Sequence, residues 1–119
     1  MTKPRILIVD DDLFARDLVT RVLTNAGYTA ESVPDGAAAL ARIEAHPPDL
    51  LLLDLMMPGI SGLEVLARLE QDGSTPPVIF LTASVQPPPA TLGPAVRGWL
   101  TKPFRVTDLL RVVEQALSR

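Results

Sequence analysis

The segment RILIVDDD, residues 5–12, joins a nearly continuous apolar run to three consecutive aspartates. An apolar run of this length without polar alternation is typical of a strand that is covered on both faces. The pattern returns in DLLLLD at 49–54 and in PVIFLT at 77–82, and each of these runs also ends on a polar residue. Three strands of this kind indicate a parallel sheet, in which the carboxyl ends of all strands lie at one edge.

Segments of helical period separate the strand segments. Two further strands are predicted at 28–33 and 98–101, and helices are predicted at 13–26, 36–45, 62–71 and 105–118. Ser61 and Glu64 have the spacing of a capping box, and Gly27 stands where a helix stop belongs. The alternation predicts a doubly wound α/β fold with a five-stranded parallel sheet in the flavodoxin-like order 2-1-3-4-5.

Length and composition exclude several classes of protein. A chain of 119 residues predicts a single domain spanning 1–119. The absence of cysteine excludes disulfides, and the single histidine, His46, excludes a multi-histidine metal site and is expected in a surface loop. A net charge of -3 with mixed signs argues against direct nucleic-acid binding. Because no apolar run could act as a signal peptide or span a bilayer, we expect a soluble cytoplasmic protein without membrane contact.

Polar residues mark the carboxyl ends of the predicted strands. They are Asp10, Asp11 and Asp12 after the first strand, Asp54 on the third, Thr82 on the fourth and Lys102 after the fifth. In the order 2-1-3-4-5 the connections reverse between strands one and three, and ligands of open α/β sheets bind at that crevice. We therefore expect an acidic cluster there, with a hydroxyl and an ammonium group beside it. Asp12 is also expected to cap the helix that follows.

The residue types at this edge favour phosphoryl chemistry. Clustered carboxylates repel one another unless a cation intervenes, and oxygen ligands without histidine or cysteine suit magnesium, manganese or calcium. A lysine and a hydroxyl opposite the metal could bind the remaining oxygens of a phosphate. An aspartate carboxylate is also a competent phosphoryl nucleophile.

Four motifs occur in an order and spacing that resemble the receiver domains of two-component response regulators. They are ILIVDDD, LLLLDLMMPGISGLEVL, VIFLTA and WLTKPF, and the resemblance covers essentially the whole chain. It implies that Asp54 is the phosphoacceptor. It also implies that Asp10 and Asp11 bind Mg2+ together with Asp54, with Mn2+ as an alternative and the backbone carbonyl of Met56 as a further ligand.

The same resemblance assigns roles near the fourth and fifth strands. Thr82 would reach toward the phosphoryl group and Lys102 would pair with it, and the peptide bond before Pro103 would be cis and aim the lysine. Trp99 stands where the family has a tyrosine or phenylalanine that moves inward, so Thr82 and Trp99 would be the switch residues.

The implied function is that of a switch, and not of a turnover enzyme. A histidine kinase or a phosphotransfer protein would donate the phosphoryl group to Asp54. The domain would then change conformation and signal to a downstream protein, an output domain or a second copy in a phosphorylation-dependent dimer. Two alternatives stay open. A metal-dependent phosphatase would have a second acid where Met56 stands, and a phosphate-independent interaction module would not need the complete acidic site.

Two features depart from the family pattern. The segment QPPPATLGP at 86–94 replaces the helix that the family has between the fourth and fifth strands, so that helix is expected to be short or irregular and to begin near Ala90. A domain linker is rejected because the strand that follows completes the same sheet, and an SH3-type proline ligand lacks a basic anchor. Met56 and Ser84 stand at positions that the family uses to tune dephosphorylation, and since neither is acidic or an amide, the resemblance implies a slow loss of phosphate.

Overall fold

The computed structural model describes residues 3–73, 75–83 and 93–118. In chain order its elements are β1 (Arg5–Val9), α1 (Leu13–Asn25), β2 (Thr29–Val33), α2 (Gly36–Ala45), β3 (Leu50–Asp54), α3 (Gly62–Asp72), β4 (Val78–Thr82), β5 (Val96–Thr101) and α4 (Val106–Leu117). All neighbouring strands pair in parallel, in the order β2-β1-β3-β4-β5. The predicted doubly wound α/β fold and its strand order are confirmed.

Each face of the sheet has its own hydrophobic core. Along β1, Ile6 and Ile8 pack on the side of α1 and α4, whereas Leu7 and Val9 pack on the side of α2 and α3. The same alternation continues along β3 and β4, since successive side chains of a strand point to opposite faces. Burial on both faces explains why these strands read as unbroken apolar runs.

Side-chain caps set where the helices nearest the sheet edge begin. Asp12 Oδ1 accepts a hydrogen bond from the backbone N–H of Phe14 at 3.0 Å, and Ser61 Oγ accepts one from that of Glu64 at 3.3 Å. At the other end of α1, Gly27 takes a φ of 100°, a value that favours glycine. These predicted helix boundaries are confirmed, and they place the start of α1 directly against the end of β1.

The fifth strand begins earlier than predicted. It starts at Val96, whereas the sequence pattern indicated 98–101. Val96 and Gly98 pair with consecutive residues of β4, so Arg97 is an extra residue in the register and forms a bulge. The guanidinium of Arg97 donates a 2.7 Å hydrogen bond to the carbonyl of Ala116 in α4. Because the bulge and Gly98 interrupt the apolar alternation, the first part of the strand has no clear sequence signal.

Two predictions lie outside the described residues. They are the short or irregular helix within QPPPATLGP, of which the structure describes only Gly93 and Pro94, and the tuning role of Ser84. The single domain spanning 1–119 stays a prediction. Among the described helices, none is long and apolar enough to cross a membrane.

Candidate functional site

Three carboxylates meet where β1 and β3 end side by side. Asp10 directly follows β1, Asp54 is the last residue of β3, and Asp11 belongs to the loop that leads to α1. One carboxylate oxygen from each lies within 4.8 Å of the other two. Asp10 and Asp54 are only 1% and 5% exposed, whereas Asp11 is open to solvent. The structure therefore brings together the acidic cluster that the strand order predicts.

Lys102 connects two of these carboxylates. Its Nζ donates to Asp10 Oδ2 at 2.8 Å and to Asp54 Oδ2 at 3.1 Å. The backbone N–H of Lys102 donates to the carbonyl of Thr82 at 2.7 Å, which fixes the loop after β5 against the end of β4. The peptide bond between Lys102 and Pro103 is cis.

The second oxygen of each buried carboxylate is held by the backbone. Asp10 Oδ1 accepts from the N–H of Asp12 at 3.0 Å, and Asp54 Oδ1 accepts from the N–H of Met56 at 3.1 Å. In both cases the donor lies two residues further along the chain, as in an Asx turn. Each carboxylate is thus held by one backbone donor and by Lys102, and its orientation is fixed.

Burial and charge shift the pKa values of the acceptor and the lysine. Burial raises the pKa of the Asp54 carboxyl above its usual 3.8, and the charge of Asp10 adds to this, against the hydrogen bonds from Met56 and Lys102. Burial by itself would lower the pKa of Lys102, but the hydrogen bonds to Asp10 and Asp54 outweigh it and leave that pKa above 10.5. The lysine therefore stays charged, and its one ammonium group pairs with two of the three acids in the cluster.

The donor atoms of the site fit a hard divalent cation. Asp10, Asp11 and Asp54 offer only oxygens, which are the ligands that Mg2+ and Mn2+ prefer. The solvent-exposed side of Asp11 leaves room for the waters that Mg2+ retains. Among the described residues, this is the only group of three or more histidine, cysteine or acidic side chains with a spacing that suits a metal.

The predicted switch residues lie on neighbouring strands. Thr82 is the last residue of β4, is 2% exposed, and pairs in register with Thr101. Trp99 lies within β5 opposite Phe80 and is 43% exposed. Thr82 therefore shares the sheet edge with the acidic cluster, while Trp99 stands further back along its strand.

Two residues of the site were missed by the sequence reasoning. Arg16 Nη1 donates to the backbone carbonyl of Asp10 at 2.8 Å, and Arg16 follows the helix cap Asp12 by one helical turn. Gly62, the first residue of α3, lies so close to the carbonyl oxygen of Asp54 that a Cβ atom would overlap it. Only weak sequence signals could have indicated these roles. For Arg16 the signal is its position one helical turn after the cap Asp12, and for Gly62 it is a glycine directly after a helix cap.

An apolar surface lies beside the site. Leu13, Phe14 and Leu18 of α1 are all largely exposed, and Phe14 is the most exposed at 87%. Of these, Leu18 also lines a groove of about 350 Å³, whose other lining residues are Ala15, Val19, Lys102, Pro103 and Phe104. Because Lys102 belongs both to this groove and to the acidic site, the two are contiguous.

One known protein family and a set of curated proteins match almost the whole chain. A family profile, described as the response regulator receiver domain, matches residues 6–114. The response regulator MprA of Mycobacterium ulcerans is 42% identical over 117 residues, which are 97% of this chain and 50% of that protein. The response regulator MprA of Mycobacterium tuberculosis strain H37Rv is 41% identical, over 97% of this chain and 51% of that protein. The chain spans about half the length of these curated relatives.

Solved structures agree with the observed fold. The chemotaxis response regulator CheY4 of Vibrio cholerae superposes with a TM-score of 0.89 at 32% identity, over 98% of this chain and 100% of that one. The response regulator TrrA of Thermotoga maritima, solved in complex with Mg2+-BeF, superposes with a TM-score of 0.85 at 32% identity, again over 98% and 100%.

Proposed function

This chain belongs to the response regulator receiver domain family, whose domains are signalling switches, and we propose that Asp54 is its phosphoacceptor. The observation that carries the proposal is the setting of the Asp54 carboxylate. It ends β3 at the crevice of the sheet, and its two oxygens are held by Lys102 and by the N–H of Met56. A fixed, buried carboxylate next to an ammonium group is suited to attack a phosphoryl group whose charge the lysine can share.

In the proposed reaction an Asp54 oxygen forms a bond to phosphorus, and the bond between phosphorus and the donor histidine nitrogen breaks. The electron pair of that bond stays on the imidazole nitrogen, so no other reactant is needed. When bound by Asp10, Asp11, Asp54 and the Met56 carbonyl, Mg2+ would neutralise charge on the phosphoryl oxygens. Lys102 would exchange its contact with Asp54 for one with a phosphoryl oxygen.

The switch is proposed to run through Thr82 and Trp99. A phosphoryl group on Asp54 would add negative charge at the sheet edge, and this favours an arrangement in which the Thr82 hydroxyl and Lys102 donate to it. Thr82 already lies buried at that edge, and it is tied to Lys102 through its carbonyl. Trp99 would follow inward along β5, and the changed surface would then be read by a downstream protein, an output domain or a second copy.

The phosphodonor is proposed to be a histidine kinase or a phosphotransfer protein that binds the exposed face of α1. Leu13, Phe14 and Leu18 are exposed apolar residues on a helix that starts next to the acidic site, and Phe14 and Leu18, four residues apart, share one face of it. Exposed apolar surfaces of this kind mark protein contacts, and aromatic residues contribute strongly to them. A donor on this surface would hold its phosphohistidine beside Lys102, which lines the adjoining groove.

Incubation with acetyl phosphate and Mg2+, followed by intact-mass measurement, tests the function. We expect one added phosphoryl group in the wild type and none in Asp54→Asn. Asp72→Asn, at the exposed end of α3, is the matched control and should be phosphorylated normally. Continuous turnover of the phosphodonor would favour the metal-dependent phosphatase, and the absence of any adduct would favour the phosphate-independent module.

A further inference from the structure

Hydrogen bonds hold every polar group of Asp10. Its N–H donates to the carbonyl of Val33 at 3.3 Å, and its own carbonyl accepts from Arg16 at 2.8 Å. Its two carboxylate oxygens accept from the N–H of Asp12 at 3.0 Å and from Lys102 at 2.8 Å. Three of these four partners are backbone groups or the lysine of the site, and Arg16 is the remaining side chain.

Arg16 contacts the loop between β1 and α1 at two points. Its guanidinium donates to the carbonyl of Asp10, and its backbone N–H makes the ordinary i→i−4 hydrogen bond of the first helical turn, to the carbonyl of Asp12 at 3.0 Å. Asp10 lies one residue beyond the last residue of β1 that pairs in the sheet, so the side chain of Arg16 supplies the donor for its carbonyl. The two contacted carbonyls belong to the residues on either side of Asp11.

These contacts fix the backbone from which the Asp11 carboxylate extends. The peptide that precedes Asp11 is held by Arg16, and the peptide that follows it is held by the hydrogen bond from the Asp12 N–H to Asp10. With both flanking peptides fixed, the exposed Asp11 side chain starts from a defined backbone. Its oxygen lies within 4.8 Å of those of Asp10 and Asp54.

We propose that Arg16 is a positioning residue for the binding of a hard divalent cation by Asp10, Asp11 and Asp54. The inference rests on the proposed function of that acidic site. Arg16 does not touch the cation or the phosphoryl group; it fixes the peptide between Asp10 and Asp11, and so the relative placement of two of the three carboxylates. Outer partners that orient metal ligands in this way have large effects on metal affinity.

The charge of Arg16 has the opposite effect on the same affinity. A guanidinium close to the site repels a divalent cation, so loss of the charge alone would tighten binding. Loss of the hydrogen bond to Asp10 would weaken binding, because the loop would no longer be held. The sign of the change in cation affinity therefore separates positioning from simple charge compensation.

Calorimetric titration of the unphosphorylated protein with Mg2+ tests the proposal. Arg16→Met and Arg16→Lys should each raise the Kd for Mg2+ about 10-fold, the lower end of the effect of outer partners on metal affinity. The matched control is Arg21→Met, an exposed arginine on the same helix, whose Kd should stay within about twofold of the wild type. The Mg2+ concentration that gives half-maximal phosphorylation by acetyl phosphate should rise by the same factor, with the maximal rate nearly unchanged.

An unchanged or lower Kd in Arg16→Met would overturn the proposal, as would an unchanged Kd in Arg16→Lys, which keeps the charge. Unfolding in the presence of EDTA shows whether each variant is folded. If Arg16→Met is not folded, the Kd of Arg16→Lys for Mg2+ tests the proposal by itself. Failure of the wild type itself to bind Mg2+ or to form an adduct would instead overturn the proposed function, and the role of Arg16 with it.

Discussion

The ammonium group of Lys102 lies closer to Asp10, at 2.8 Å, than to the proposed acceptor Asp54, at 3.1 Å. Strands β1 and β5 are not neighbours, because β3 and β4 lie between them. The lysine therefore spans the carboxyl edge of the sheet and compensates two buried carboxylates at once. We therefore expect the stability of the metal-free protein and the proposed phosphorylation of Asp54 to depend on this one side chain.

Replacement of Lys102 by methionine should destabilise the metal-free protein at pH 7 by about 3 kcal/mol, because Asp10 and Asp54 lose their shared cation inside the fold. The pKa of Lys102 is raised in the folded state, so its contribution is complete below 10.5 and is lost as the pH rises through the folded-state value. Above pH 10.5 the wild type should therefore lose the stability that Lys102 contributes, whereas Lys102→Met has no such contribution to lose. Urea unfolding between pH 7 and pH 11 measures this, with Lys3→Met at the exposed start of the chain as the control. Equal stability of Lys102→Met and Lys3→Met at pH 7 would contradict the prediction.

Replacement of Asp54 by asparagine should stabilise the metal-free protein at pH 7, because it removes a buried carboxylate charge. Burial raises the pKa of Asp54, so its charged form is disfavoured in the fold, and Lys102 keeps Asp10 as a partner in the variant. The folded-state pKa of Asp54 lies above 3.8. The gain in stability of Asp54→Asn should therefore be complete at a pH above that folded-state pKa, and it should vanish as the pH falls to 3.8 and below.

Saturating Mg2+ should reverse that order of stability. At about 100 times its Kd, a ligand adds roughly 2.7 kcal/mol to the free energy of unfolding, and Asp54→Asn lacks one of the three proposed carboxylate ligands. Unfolding in EDTA and in excess Mg2+ tests both halves, and Asp72→Asn should behave as the wild type does. A wild type more stable than Asp54→Asn in EDTA would show that the lysine contact outweighs burial.

Replacement of Gly62 by alanine should displace the backbone of Asp54 and so disturb the acidic site. A Cβ atom there would overlap the carbonyl oxygen of Asp54 and lie 2.9 Å from Leu55 Cα, and backbone atoms cannot move aside as the end of a flexible side chain can. We expect a loss of about 2 kcal/mol of unfolding free energy and slower phosphorylation by acetyl phosphate. Gly98→Ala is the control, because its Cβ would meet Val112 Cγ1 at an ordinary 3.5 Å. Similar losses in both variants would mean that overlap with Asp54 is not the cause, since reduced freedom of the unfolded chain by itself would stabilise an alanine variant.

The sequence predicted the acidic site because the geometry of a parallel sheet does part of the placement. Once β1 and β3 were recognised as buried parallel strands, Asp10 and Asp54 had to lie at the same edge, and Lys102 had to lie there too. The parallel pairing of the strands was enough to place these three residues, and no side-chain contact had to be known.

The contacts that hold the site could not be predicted in the same way. Arg16 bonds to a backbone carbonyl, a group that every residue has, so no pattern of residue types marks the partner. The closeness of Gly62 to Asp54 depends on the path of the loop between β3 and α3, which has no period. The bulge at Arg97 similarly broke the alternation by which the start of β5 would have been recognised.

Replacement of Phe14 by serine should slow phosphorylation by a histidine kinase but not phosphorylation by acetyl phosphate. Phe14 is 87% exposed on α1, so its loss should leave the stability of the fold unchanged within about 0.5 kcal/mol. Acetyl phosphate needs only the acidic site and should phosphorylate the variant at the wild-type rate. A histidine kinase that phosphorylates the wild type should be at least about fivefold less efficient, since truncation of a residue that dominates a protein contact costs more than about 1 kcal/mol. Leu63→Ser is the matched control, because Leu63 is an exposed apolar residue on α3. An equal loss with both donors would place the effect of Phe14 in the acidic site, and an equal loss in Leu63→Ser would move the kinase contact away from α1.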